Sequence, residues 1–200
     1  MIDAIVTKVK GFLMSPVATF QQSKNDEPGI VFTYFAALLL IHAILAALIA
    51  AIGIEKMPMY PGMPSGIAVP VIVFLMALVG GFIVTLIFAA WLHLWVYILG
   101  GRKGIMQTFK AIIYSNTPRL LLGWIPFIGF IFGLWSLVLS ILGIRELQEI
   151  STTKAILAVA IAVMIPLILL ILLAAWFMIS YMTVSGMPFP PGNAFPTAVN

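Results

Sequence analysis

Four long apolar runs, residues 29–54, 67–99, 120–143 and 155–184, contain no Asp, Glu, Lys or Arg, and polar or Gly/Pro-rich stretches separate them. An α-helix rises about 1.5 Å per residue, so roughly 20 apolar residues cross a hydrocarbon core about 30 Å thick. A charge at the centre of such a helix costs about 3 kcal/mol on insertion scales, which accounts for the gaps in charge. The runs therefore predict helices that cross a bilayer.

Shorter elements fill the rest. In IDAIVTKVKGFLM, Ile2, Ile5, Val6, Val9, Phe12 and Leu13 recur at helical spacing while Asp3, Thr7, Lys8 and Lys10 fall elsewhere. That pattern predicts a short amphipathic helix lying at the interface on anionic lipid. Ser15-Pro16 reads as an N-cap followed by proline at the first helical position, opening a second short helix. KNDEPG (24–29) is a polar break, and EKMPMYPGMPSG (55–66) is a loop whose prolines forbid regular structure. The second run closes on Trp91, Trp95 and Tyr97, an aromatic belt, ahead of Arg102 and Lys103. Residues 105–117 are amphipathic, with Ile105, Phe109, Ile112 and Ile113 sharing a face, until Pro118 interrupts them. GWIPFIGFIFG then leads into the fourth segment, 144–154 carries charges of both signs, and the last run bends near Pro166. The uncharged, Pro-rich tail 185–200 reads as disordered.

The expected fold is an all-α, polytopic transmembrane helical bundle of five membrane segments. Its organisation is a cytoplasmic amphipathic segment over 1–28, a transmembrane domain over 29–184 and the tail. The segments fall at about 29–54, 67–99, 105–124, 127–145 and 155–184. A hairpin turning at Pro126 puts eight basic residues inside and leaves Lys56 and Arg119 outside, whereas a flat 105–117 followed by one span gives seven to three. Positive-inside bias favours the five-segment arrangement, with the N-terminus cytoplasmic and the C-terminus outside.

Composition narrows the function classes. Hydrophobic residues make up 63% and charged residues 8% of the chain, against roughly 25% charged in soluble domains, so no separate soluble domain is expected. The net charge of +4 belongs beside the membrane segments, where it sets topology and attracts anionic headgroups; no nucleic-acid partner is expected. No cysteine is present, which excludes disulfides, thiolate metal sites and cysteine nucleophiles. The first apolar run is too long for a signal-peptide core and lacks a small-residue cleavage site. Neither HExxH, GxSxG nor a paired carboxylate occurs, so no enzyme and no cofactor is expected.

Residues 101–161 carry a more specific pattern. Its landmarks are Gln107-Thr108-Phe109, Tyr114-Ser115 with Pro118, and Ile125-Pro126 followed by Gly129. Trp135, the Gly143-Ile144 corner and Ser151-Thr152-Thr153-Lys154-Ala155 complete it, and Ser15-Pro16 with Thr19-Phe20 adds an N-terminal match. Over residues 11 to 180 the chain resembles the Yip-one domain family of Ypt/Rab-interacting multi-pass proteins, most closely its short prokaryotic type. The resemblance implies a helical bundle of five segments. In eukaryotes it implies a role in vesicle trafficking through prenylated Rab GTPases and other members of the family. Those proteins carry a long cytoplasmic N-terminal region, where this sequence has about 28 residues before its first span. A prokaryotic member would reside in the cell membrane.

Several residues are candidates for chemistry. Lys8, Lys10, Arg102 and Lys103 are expected to contact lipid headgroups. Asn116, Thr117 and Arg119 form the most polar cluster in the apolar half, where Arg119 would hold a lipid phosphate or cap carbonyls freed by the Asn116–Pro118 break, or snorkel to an interface. His42 and His93 lie within spans, as proton-relay or ligand groups or as neutral imidazoles bonded to a neighbouring helix. Met57, Met59 and Met63 are soft ligands suited to Cu(I), or apolar loop filler; Gly62-Met63-Pro64 recurs as Gly186-Met187-Pro188. Gly129 and Gly133 form a GxxxG continued by Ser136 and Ser140, a helix-packing stripe within the bundle or between copies. The function expected is non-enzymatic membrane organisation or partner scaffolding, with lipid bilayer, self-association or other membrane proteins as partners. A small transporter or channel built on the broken helices is the alternative.

Overall fold

The computed structural model describes residues 2–53 and 66–185. Met57, Met59, Met63, the recurring Gly-Met-Pro and the tail from residue 186 onward lie outside the described residues. Two units divide the chain at Ala160/Ile161.

The first unit begins with α1 (Ile2–Met14) and α2 (Pro16–Gln22), followed by a 3₁₀ turn over Ser23–Asn25. Pro16 opens α2 at its first position, as the sequence suggests, but Ser15 does not cap with its side chain. Instead Thr19 Oγ1 donates back to the Ser15 carbonyl at 2.9 Å. α3 (Pro28–Ala51) is the first long apolar helix. The second is continuous from Ala68 to Ile98: α4 (Ala68–Leu75), a π-helical turn over Met76–Gly80, and α5 (Gly81–Ile98). α6 (Ile105–Ser115) and α7 (Thr117–Leu122) form one broken limb, and α8 (Ile128–Gln148) returns along it. α9 (Thr152–Ser185) starts in the first unit, where Ala155, Ala158 and Val159 are buried. The second unit, as far as it is described, is the rest of α9, with apolar side chains exposed from Leu167 to Tyr181.

Among the described residues, four helices are long and apolar enough to cross a membrane: Pro28–Ala51, Ala68–Ile98, Ile128–Gln148 and Thr152–Thr183. Little of their surface is covered by protein, only 6% of the most apolar stretch of the second. An exposed apolar surface of that extent is stable only in lipid, so the chain is an all-α multi-pass membrane protein. Helices α6 and α7, with 11 and 6 residues, are each too short to cross alone.

Packing explains the order of the first unit. α6 lies along α8, α3 touches α4 and α7, α5 touches α6, α2 rests on α8, and α1 rests on α2 and α7. Phe12, Phe20, Tyr34 and Tyr114 bring α1, α2, α3 and α6 together; Phe12 stacks on Tyr114 at 4.7 Å and meets Phe20 edge-on at 4.9 Å. Gly143 on α8 makes room for Phe20, since an added Cβ would sit 2.8 Å from the Phe20 ring and 3.2 Å from the Ala111 side chain.

The limb break and the hairpin turn follow from two prolines. Pro118 has no N–H to give the Tyr114 carbonyl, and the Thr117 hydroxyl donates to that carbonyl at 2.6 Å in its place. That hydroxyl has a single hydrogen, so the Tyr34 hydroxyl is the donor in its 2.7 Å contact with Thr117 Oγ1. At the tip, Ile128 N–H donates to the Pro126 carbonyl at 2.8 Å, closing a γ-turn around Phe127 at φ 65, ψ −47. A non-glycine residue in that region is strained.

Candidate functional site

Two polar clusters and one cavity hold the chemistry of the first unit. The first cluster surrounds Asp26, in the connection between α2 and α3. Lys8 on α1 donates to Asp26 Oδ2 at 2.5 Å and to Ser23 Oγ at 3.0 Å. Tyr114 on α6 donates to the same Asp26 oxygen. Beside it, Lys110 and Gln107 donate to the Lys24 carbonyl at 2.7 and 3.2 Å. Lys8 therefore turns toward protein, with side-chain exposure of 21% against 16% for Asp26. One carboxylate ties the N-terminal helix to α6.

The second cluster surrounds Gln148 at the end of α8. Its amide nitrogen donates to the Gly104 carbonyl and to Thr108 Oγ1, both at 2.9 Å, and its oxygen accepts the Lys103 N–H at 3.1 Å. Thr108 Oγ1 also lies 2.8 Å from His93 Nδ1, so that histidine is bonded to a neighbouring helix. Glu149, which ends α8 in the left-handed conformation, pairs with Lys24 and Lys103. Arg145 pairs with Glu146 at 2.6 Å, and Gln21 reaches the same carboxylate at 2.9 Å. These surface pairs are worth at most about 1 kcal/mol each, but they gather the charges at one end of the unit. Arg102 lies over the Tyr97 ring at 3.8 Å and donates to the Tyr97 carbonyl, while Lys10 is exposed on α1.

The cavity, of about 340 Å³, lies among α5, α6, α7 and α8. Thr85, Ser115, Asn116, Arg119, Ser136 and Ser140 give it polar groups within an otherwise apolar wall. Ser136 accepts the Arg119 backbone N–H at 3.2 Å, and Ser140 and Ser115 hydroxyls donate to carbonyls of their own helices. Arg119 is exposed, and among the described residues its guanidinium has neither a hydrogen bond nor an ion pair.

Other sequence candidates are dispersed. His42 Nδ1 lies 3.1 Å from the Leu120 carbonyl, again a bond to a neighbouring helix. Gly129 and Gly133 do not share one role. A Cβ at Gly129 would lie 2.4 Å from the Gly123 carbonyl oxygen, which fixes it to the hairpin turn, whereas Gly133 faces open space beside the cavity. Among the described residues no group of three His, Asp or Glu side chains could hold a metal ion. The sequence reading does not single out Asp26, Tyr34 or Gln148, and it marks Tyr114 only as a family landmark. Asp26 and Gln148 are polar residues beside apolar runs and Tyr34 and Tyr114 are hydroxyls within apolar patterns, with partners 18 to 88 positions away.

A family model described as Yip1 domain matches residues 10–190. No match is found among the curated proteins or among the solved structures.

Proposed function

We propose that this chain, which belongs to the Yip1-domain family, organises or shapes bilayers, or scaffolds partners there, without catalysing a reaction. The supporting observation is the docked N-terminal segment at the charged end. α1 is held on the bundle by Lys8–Asp26 and by Phe12, which leaves Ile2, Val6, Lys10 and Met14 exposed on its outer face. Apolar residues interleaved with cations on one face suit insertion between anionic headgroups, and a wedge confined to one leaflet bends the bilayer.

Positive-inside bias makes the charged end cytoplasmic. The N-terminus is then cytoplasmic, α6–α7 and α8 enter as a hairpin, and α9 carries the chain outward. Lys10, Arg102 and Lys103 are the lipid-contact residues of this surface, and Lys8 serves it by fixing α1.

The test is reconstitution in phosphatidylglycerol-rich liposomes with vesicle shape read by cryo-electron microscopy. Remodelling that disappears on charge reversal at Lys10, Arg102 and Lys103 together supports the reading; unchanged remodelling refutes it. The polar cavity favours a second reading, a small transporter, and flat solute fluxes in proteoliposomes would remove it.

A further inference from the structure

We infer that the cavity at Arg119 holds the phosphate of a membrane phospholipid. The inference rests on the membrane placement of the hairpin given above, and not on bilayer shaping. From Gly104, Arg119 lies about 20 Å along the limb at 1.5 Å per residue, well within a hydrocarbon core of about 30 Å. An unpaired cation at that depth is costly and needs an anion or a route to the interface.

The tip offers Arg119 no role of its own to fill. Pro118 frees the Tyr114 carbonyl, and Thr117 takes it. The Arg119 carbonyl accepts Gly123 N–H at 2.7 Å, and the Leu120 carbonyl faces His42 at 3.1 Å. The Leu121 carbonyl accepts the Trp124 indole N–H at 2.6 Å, and the Leu122 carbonyl accepts Ile125 N–H at 3.2 Å. These five carbonyls are thus satisfied, and among the described residues the guanidinium bonds no backbone carbonyl. No carboxylate among the described residues bonds it either.

What remains is the cavity. The Asn116 carboxamide and the Thr85 hydroxyl line it beside Arg119, and neither bonds another described residue. A guanidinium gives a phosphate two parallel donors, and an amide adds a third. Around them Val84, Phe88 and Leu137 supply the apolar wall that an acyl chain needs. Within a bilayer the abundant anion that brings its own acyl chains is a phospholipid, whose phosphate reaches this depth from the far leaflet as the arginine stem extends toward it.

The experiment uses the full chain purified in an uncharged detergent, with thermal stabilisation and native mass spectrometry as readouts. The probes are dioctanoyl phosphatidylglycerol, dioctanoyl glycerol without phosphate, and inorganic phosphate. Saturable stabilisation and one retained lipid are expected with the phospholipid alone. Arg119→Gln weakens that binding about tenfold or more, while Arg119→Lys, which keeps the charge but loses the fork, falls between. Lys154→Gln, at an exposed position outside the cavity, leaves it unchanged. Equal stabilisation by dioctanoyl glycerol overturns the phosphate, and equal stabilisation by inorganic phosphate overturns the lipid. Wild-type affinity in both Arg119 variants overturns the site. Loss of vesicle remodelling with this binding intact would instead count against the proposed function alone.

Discussion

Replacing Asp26 by Asn should loosen the N-terminal helix from the bundle. The carboxylate accepts from the Lys8 ammonium at 2.5 Å and from the Tyr114 hydroxyl, and both members of the ion pair are about four-fifths covered. Asn keeps the shape and one acceptor oxygen, so the contact with Tyr114 survives as a neutral hydrogen bond. What is lost is the charge facing Lys8, whose remaining partner is Ser23 Oγ at 3.0 Å. A hydrogen bond to a charged group is worth about 1.5–3 kcal/mol, and breaking a fully buried pair costs about 3–5 kcal/mol. With partial exposure at both ends, about 2–3 kcal/mol is expected for Asp26→Asn. At about 2–4 °C per kcal/mol for a chain of this size, Tm in detergent falls by about 4–12 °C. Lys8→Met should cost a comparable amount, because it strands the carboxylate. The double variant should cost much less than the sum, and hydrogen exchange of α1 should rise in both single variants. A coupling energy within about 0.5 kcal/mol of zero would show that the two groups do not act as a pair, and the latch would have to be abandoned.

Four further outcomes follow from the same geometry. Gln148→Leu removes three hydrogen bonds between α8 and the start of α6, so a loss of about 2 kcal/mol and faster hydrogen exchange at Lys103 are expected; unchanged exchange at Lys103 would contradict the clasp. Gly143→Ala forces a methyl against Phe20 and should cost about 1–3 kcal/mol, whereas Gly133→Ala meets open space and gains about 1 kcal/mol of helix propensity. The two Tm shifts having the same sign would refute the packing argument. Phe127→Gly exchanges about 1–3 kcal/mol of γ-turn strain for about 1 kcal/mol of glycine entropy, so Tm should rise by a few degrees; a fall would place Phe127 in a stabilising contact. Single cysteines at Lys103 and Ser151 should label from one side of sealed membranes, and those at Gly53 and Thr183 from the other.

Charge gaps and prolines made the element boundaries readable. Lipid excludes charge, and proline cannot donate within a helix, so both leave marks in the sequence, although α9 runs on through Pro166. The breaks at Ser15-Pro16 and Pro118 and the turn at Pro126 fall where those marks are. Which charges meet was not readable, because an amphipathic pattern ranks faces without naming what each one touches. Lys8 sits on the polar side of the α1 pattern, yet it points into protein because Phe12, one turn on, is the anchor. A stripe of small residues records only missing side chains: on α8 a Cβ at Gly129 would meet the Gly123 carbonyl and one at Gly143 the Phe20 ring, while one at Gly133 meets open space.

The Gln148 clasp bears on how the protein enters the membrane. Because it joins the open ends of both limbs, the hairpin adds an even number of crossings, either none, if its apolar tip stops inside the bilayer, or two. The side from which α9 departs is the same in both cases, so topology is insensitive to how far Phe127 reaches. On the proposed topology the hairpin would partition sideways into lipid as a preformed unit, and Arg145, Glu146, Glu149 and Lys154 would stay on the side where they start.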